Sequence, residues 1–208
     1  MLPAMAELPT RLGRRERNKA EKRDRIVGAA TTLFTERGYD NTTTQQVSEK
    51  ADVAEGTLFR FAATKSELLL MVVNAKLRPV VEEAPDTDPT LPVDEAVLRA
   101  FDPLVQILDL QPNNAAPFLR EIYFGADGDH RRETIDLVQE LEHKVAAIIA
   151  PHHEAFPDGL TLQEASEWVF FALISAVLDQ VIDNPTTTDR NDALRKRVRV
   201  LLRGLNVL

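Results

Sequence analysis

Residues 42–65 run Thr42-Thr43-Thr44-Gln45-Gln46-Val47-Ser48-Glu49-Lys50-Ala51-Asp52-Val53-Ala54-Glu55-Gly56-Thr57-Leu58-Phe59-Arg60-Phe61-Ala62-Ala63-Thr64-Lys65. Caps and apolar spacing in this stretch spell two short helices joined by a tight turn, with a third helix starting at its end. A threonine suits the start of a helix because its hydroxyl accepts from the free N–H groups of the first turn. The helix predicted over 44–51 sends Val47 and Ala51, an i, i+4 pair, to one side. Asp52, Val53 and Ala54 make the turn, with Val53 predicted to be buried between the helices. The helix predicted over 55–62 buries Leu58 and Ala62 and leaves Glu55, Gly56, Thr57, Phe59, Arg60 and Phe61 largely free. Two turns are too short to persist alone in water, so tertiary packing must hold them. Thr64 and Glu67 then stand at capping-box spacing. They open a long helix through Val81, with Leu68, Leu69, Val72, Val73, Leu77 and Val80 predicted inward.

Upstream, Ile26, Ala29, Ala30, Leu33 and Phe34 recur at helical spacing and predict a helix over 18–37. Gly38 stands where a left-handed cap would end it, and Tyr39 can fold back onto it. Residues 1–17 read as a flexible basic arm. Such an arm either lies along phosphates or stays unstructured. Downstream, residues 82–92 hold three prolines and read as a linker. Apolar helical patterns follow at 93–110, 114–124, 130–150, 161–183 and 190–206, with Pro103 expected to kink or divide the first. Turns are expected at 125–129 and 157–159. No window alternates at period two, so the chain is expected to be all helical.

The 208 residues carry a formal net charge of −8, which taken whole argues against a nucleic-acid partner. The charge is uneven, however. Residues 1–83 hold 14 basic and 12 acidic side chains, whereas residues 84–208 hold 11 and 21. A basic leading end on an acidic bulk suggests a polyanion partner at that end, unless it is only a solvated tail. The absence of cysteine excludes disulfides, thiolate metal sites and cysteine nucleophiles. With no signal-like start and no long apolar run, the chain is expected to be soluble and cytoplasmic, away from the membrane.

The pattern Ile26, Ala29-Ala30, Leu33-Phe34, Gly38-Tyr39, Thr42-Thr43, Val47, Ala51, Val53, Gly56-Thr57-Leu58 and Lys65 resembles the TetR-type (TetR/AcrR-like) bacterial transcriptional regulators. The resemblance implies a helix-turn-helix DNA-binding domain over 18–66, with its motif at about 43–62. It also implies an effector-binding and dimerisation domain over 67–208, joined by a long fourth helix. Thr43, Thr44 and Gln45 would meet the DNA backbone. Glu55, Gly56, Thr57, Phe59, Arg60 and Phe61 would enter the major groove, and Lys65 would contact phosphate. Arg60 suits guanine or phosphate, and Glu55 suits cytosine N4. The family usually has tyrosine at the positions of Phe59 and Phe61, a large aromatic at Ala62 and glycine at Asp52.

In the C-terminal half, Phe171, Ser175, Leu178 and Ile182 form one apolar stripe, and Leu194, Val198, Leu201 and Leu205 another. Each stripe faces either a second copy or the domain's own core, and a palindromic operator favours the homodimer. An effector pocket between helices would draw on Phe101, Leu104, Leu108, Phe118, Arg120, Tyr123, Phe124, Leu141, His143 and Trp168. No cofactor, metal site or catalytic constellation is expected. His152 and His153 are adjacent, and adjacent side chains on a helix point about 100° apart. The function expected is a sequence-specific DNA-binding regulator, a repressor released by a small-molecule effector. The alternative is a helical small-molecule or partner-binding protein with a degenerate DNA-binding head.

Overall fold

The computed structural model describes residues 13–83, 90–110, 112–183 and 187–208. Within these, the side chains of residues 103, 106–110, 112, 177–183 and 187–191 lie outside the description, and so do residues 1–12 of the arm and 84–89 of the linker. The chain is all helical among the described residues. Its elements are α1 (Arg14–Arg37), α2 (Thr44–Lys50), α3 (Glu55–Leu58), α4 (Lys65–Glu83), α5 (Val93–Leu110), α6 (Pro112–Phe124), α7 (Asp129–Ile149), a 3₁₀ turn (Ala150–Ala155), α8 (Leu162–Asp183) and α9 (Thr187–Gly204).

α1 begins four residues before the predicted start, so Arg14, Arg15, Glu16 and Arg17 belong to a helix rather than to the arm. The apolar period could not show this, because the added turn is exposed on every side. Ile26, Ala30, Leu33 and Phe34 of α1 are buried against α2 and α4. Gly38 ends α1 with φ 78° and ψ 164°. Its φ is positive as expected, but its ψ is extended rather than helical. That region is open essentially only to glycine. Tyr39 does fold back, its ring 5.8 Å from that of Phe34.

α4 runs down the middle of the molecule and packs most extensively on α7. Leu68 to Asn74, Leu77 and Val81 of α4 are buried, whereas Val80 faces solvent, against expectation. One residue further on, and one turn beyond Leu77, Val81 fills the place expected of Val80. α5 is one uninterrupted helix, so Pro103 does not divide it. α5 packs on α7 and α9, and α8 lies between α7 and α9. Phe101 and Phe170 meet edge to face with centroids 5.3 Å apart, tying α5 to α8.

Candidate nucleic-acid interface and its junction with the C-terminal domain

The head is held by caps. Thr43 accepts from the N–H of Gln46 at 3.2 Å, and the Gln46 side chain accepts from the Thr43 N–H at 3.0 Å. This reciprocal box satisfies two donors that the start of α2 would otherwise leave open. Buried Thr42 donates to the Gly38 carbonyl at 2.9 Å and closes the end of α1. Asp52 adopts φ 52°, the left-handed turn that aspartate tolerates, and Arg25 reaches its carboxylate at 3.3 Å.

α3 is shorter than expected. Only Glu55–Leu58 is helical, and the chain then tightens, with Arg60 N–H bonded to Thr57 and Phe61 N–H to Leu58. Leu58 and Ala62 are buried, as their spacing required. Val53 is half-buried rather than enclosed. Of the expected DNA contacts, Thr43, Gln45, Glu55, Gly56, Phe59 and Arg60 are exposed, and Thr44, Thr57 and Lys65 are half-buried. Thr44 donates to the Glu55 carboxylate at 3.1 Å, which joins the starts of α2 and α3 into one surface. Gln45 is turned along its own helix to Glu49 at 3.0 Å. Lys65 lies over the Tyr39 ring, 4.2 Å from its centroid, and donates to the Asp40 carbonyl. Burial pushes its ammonium below the usual lysine range, and the charge of Asp40 pulls part of the way back. Phe61 departs from expectation. Its ring is half-buried and packs on the core, so only Phe59 of the two phenylalanines is an exposed aromatic.

The head joins the C-terminal bundle through side chains that sequence reasoning missed. Buried Asn114 of α6 accepts from the Tyr39 N–H at 2.7 Å and donates to the Phe34 carbonyl at 3.1 Å, so it sits astride the end of α1. At the start of α7, His130 Nε2 is 2.8 Å from the Phe61 carbonyl oxygen. The His130 N–H donates to Glu67 at 3.2 Å. Glu67 N–H caps on Thr64 as expected, but its carboxylate serves α7 instead of closing the box. A Cβ on Gly128 would overlap the Glu67 carboxylate, so a larger residue here would make that side chain move away from α7. A cleft of about 490 Å³ opens here between Arg60, Thr64, Glu67, Glu121 and Asp127. The turn before α7 was expected, but Asn114 and His130 were legible only as polar residues within helical patterns.

The residues expected to line an effector pocket do not share one cavity, although Tyr123 and Trp168 meet at an open cleft of about 450 Å³ with Phe170, Phe171 and Ile174. Phe101, Leu104, Phe118 and Leu141 are packed in the core, while Arg120, Tyr123, Phe124, His143 and Trp168 are exposed. The side chain of Leu108 lies outside the description. Phe101 alone of the set borders the cleft of about 410 Å³ between α5 and α9, with Leu98, Val105, Arg99 and Arg195. The expected dimer stripe on α9 is also corrected. Leu194, Val198 and Leu205 are buried in their own chain and Leu201 is half-buried, because this face of α9 covers α5 and α8. On α8, Phe171 is exposed and Ser175 half-buried, while Leu178 and Ile182 lie outside the described side chains. Among the described residues of α8 and α9, the large apolar side chains left open are Trp168, Phe171 and Val200, and Tyr123 and Phe124 of α6 are exposed as well.

A capped helix-turn-helix head set on a helical bundle is the fold of bacterial transcription regulators. Residues 26–72 match the model of bacterial regulatory proteins of the tetR family. The match runs from α1 into the first half of α4, so it is the N-terminal part of the chain that is similar to the tetR family. It is 34% identical over 73 residues to the HTH-type transcriptional regulator TcmR of Streptomyces glaucescens, a match covering 35% of this chain and 32% of that one. The chain thus spans about a third of the length of that relative. The HTH-type transcriptional repressor KstR of Rhodococcus jostii is 25% identical over 182 residues, which is 88% of this chain and 83% of KstR. Among solved structures, Thermus thermophilus FadR in complex with lauroyl-CoA superposes with a TM-score of 0.60 at 21% identity, covering 88% of this chain and 94% of that one.

Proposed function

We propose that this protein is a homodimeric, sequence-specific DNA-binding regulator, a repressor released when a small molecule binds its C-terminal domain. The observation that carries the reading is the α2–α3 unit, locked by caps and presenting Thr44, Glu55, Phe59 and Arg60 from one surface, within a span that matches the family. Arg60 supplies a bidentate donor for guanine or phosphate, and Glu55 an acceptor for cytosine N4. α1 adds a cationic overhang. Arg15, Lys19 and Lys22 continue the face of Ile26 and Leu33 as exposed cations, in a segment (residues 14–25) with seven basic and three acidic side chains. These suit phosphates, whose contribution is independent of sequence and falls with salt.

Trp168, Phe171 and Val200 form the surface that a second copy would cover, placing two heads on half-sites about 34 Å apart or a multiple of it. The α5–α9 cleft has Leu98, Phe101 and Val105 along its wall and Arg99, Arg195, Glu95 and Asp102 at its rim, with Arg195 paired to Glu95 at 3.0 Å, so the part of a ligand that it suits is an apolar chain. The acyl thioester held by the FadR relative carries such a chain, which makes lauroyl-CoA the first probe. Selection of bound duplexes from a random pool, followed by affinity measurements at two salt concentrations, tests the reading. A recovered palindrome bound far more tightly than random duplex, and released by a ligand, supports it. Equal affinity for every duplex would favour a small-molecule-binding protein with a degenerate head.

A further inference from the structure

The end of α1 is held by a side chain of the bundle. Asn114 stands in the first turn of α6 and is 4% exposed. Its side-chain oxygen accepts from the Tyr39 N–H at 2.7 Å, and its side-chain nitrogen donates to the Phe34 carbonyl at 3.1 Å. The Tyr39 N–H lies past the end of α1, where a buried donor needs a partner from elsewhere. Two bonds from one planar amide fix an angle as well as a distance, whereas a single bond leaves a pivot. His130 adds one bond at the far edge of the head, its Nε2 2.8 Å from the Phe61 carbonyl oxygen.

Three helices of the head meet at Tyr39. Its ring packs on Phe34 of α1. Its hydroxyl is 3.1 Å from Ser66 Oγ, and Lys65 lies 4.2 Å above the ring, both in the first turn of α4. The Tyr39 carbonyl accepts from the Thr42 N–H at 3.2 Å, one residue before the Thr43 cap of α2. On the other side, α6 is seated in the bundle by Ala115, Phe118 and Leu119, all buried. It packs on α8, the helix that carries Trp168 and Phe171. One amide therefore stands between the head and the helix whose face is proposed for the second copy. A head carried on α4 alone is free to turn about that helix, and an angle-fixing attachment off its axis removes the turn.

We propose that Asn114 is a positioning residue for operator recognition: by fixing the angle of the head on the bundle, its amide makes the spacing between half-sites part of what the dimer reads. The proposal rests on the reading of the chain as a DNA-binding dimer. Adding about two base pairs between half-sites moves one of them by about 7 Å and turns it by about 70°. Heads set at one angle cannot follow that turn, whereas heads free to pivot can. With the clip broken, the protein should keep its hold on one half-site and lose its preference for one spacing, a split that a loss of stability does not produce.

The test uses the full-length protein and the duplex recovered by selection, together with duplexes lengthened or shortened by about two base pairs and one holding a single half-site. Wild-type Kd should rise at least about tenfold on either change of spacing. Asn114→Ala should bind the single half-site within about twofold of wild type, and its Kd should vary by less than about threefold across the spacings. A spacing preference kept in full overturns the proposal, and so does one uniform loss of affinity for every duplex. Because the chain has no cysteine, nitroxides placed through Glu49→Cys on α2 and Glu140→Cys on α7, both exposed positions, report the head-to-bundle distance without DNA, with unlabelled chain in excess. That distance should be single and narrow in the wild type and broad in Asn114→Ala at unchanged helix content. A broad wild-type distance, or an equally narrow one in the variant, overturns the proposal. If Asn114→Ala does not fold, Asn114→Ser, too short for both partners but able to hold a water between them, takes its place. Failure of both to fold overturns the proposal in favour of a purely structural amide. A wild-type chain that prefers no duplex sequence overturns the functional reading instead, and the label distance still decides the clip.

Discussion

The head and the bundle reach order by different means. In the head, α2 and α3 are seven and four residues long, and their ends are closed by Thr43 with Gln46, by Thr42 and by the left-handed Asp52. In the bundle, α7 and α8 run 21 and 22 residues and are held by apolar area, but Trp168 and Phe171 remain 59% and 63% exposed. Caps act within a few residues and complete a small unit without outside help. Apolar faces act at any distance and leave a surface open where their partner is missing. The head is therefore closed largely by its own local contacts, whereas the bundle leaves Trp168 and Phe171 open, on the surface proposed for a second copy. The two are joined by α4, on which both α1 and α7 pack, and are fastened further at Asn114 and His130.

The most severe way to break the contrast is from inside the head. Leu58 is fully buried under the single turn of α3, and Leu58→Ala should cost about 2–5 kcal/mol, read as a drop in the urea midpoint. Truncating a side chain in the bundle's open surface should leave the monomer intact and change its association. Trp168→Glu is expected to weaken the dimer at least about tenfold, or about 1.4 kcal/mol, by sedimentation velocity, with helix content unchanged. If Trp168→Glu unfolds the chain instead, that surface belongs to the core and the contrast fails.

The α5–α9 contact offers a milder probe and one with a pH sign. Asp94 has 6% of its side chain accessible and accepts from Arg199 Nε at 2.6 Å. Burial raises its pKa, but the hydrogen bond and charge of Arg199, with the backbone N–H groups of Glu95 and Asp94, lower it further, for a net fall. A depressed carboxyl pKa stabilises the fold above the unfolded value of about 3.9 and loses that contribution as pH falls through the folded value. Because Arg199 is half-exposed, the pair is worth on the order of 1 kcal/mol. Thermal unfolding of Arg199→Ala should show a deficit near neutrality that closes below about pH 3. A deficit that is the same at every pH would mean that the arginine acts by packing alone.

What was legible in the sequence follows the same division. Gly38, Tyr39, Thr64, Asp52 and the buried Val47, Leu58 and Ala62 announce themselves by local chemistry, each within about one turn of what it fixes. Helix existence in the bundle was legible from period alone, but sidedness was not. Leu194, Val198 and Leu205 repeat at the spacing of an interface and face the core, while Trp168 and Phe171 on α8 face out. Both sides of α8 are apolar, so its period cannot say which side is covered by the same chain. The junction residues were hidden for another reason. Asn114 and His130 pair with backbone atoms about 75 and 69 positions away, and no local pattern encodes such a partner.

The smallest effect separates the two phenylalanines that stand where relatives of this family usually have tyrosine. Sequence alone treats them alike. In the structure Phe59 is 42% exposed on the reading surface, whereas Phe61 packs on the core and gives its carbonyl to His130. A hydroxyl added at Phe59 can donate to phosphate, so Phe59→Tyr should strengthen DNA binding by about 1 kcal/mol, a fewfold lower Kd. The same hydroxyl at Phe61 would have to be accommodated in a half-buried site that already faces α4 and α7, and Phe61→Tyr should give no gain in affinity. Fluorescence anisotropy on one duplex at one salt concentration reads both. Equal gains would place the Phe61 ring against DNA and dissolve the distinction between the outward and inward faces of the recognition segment.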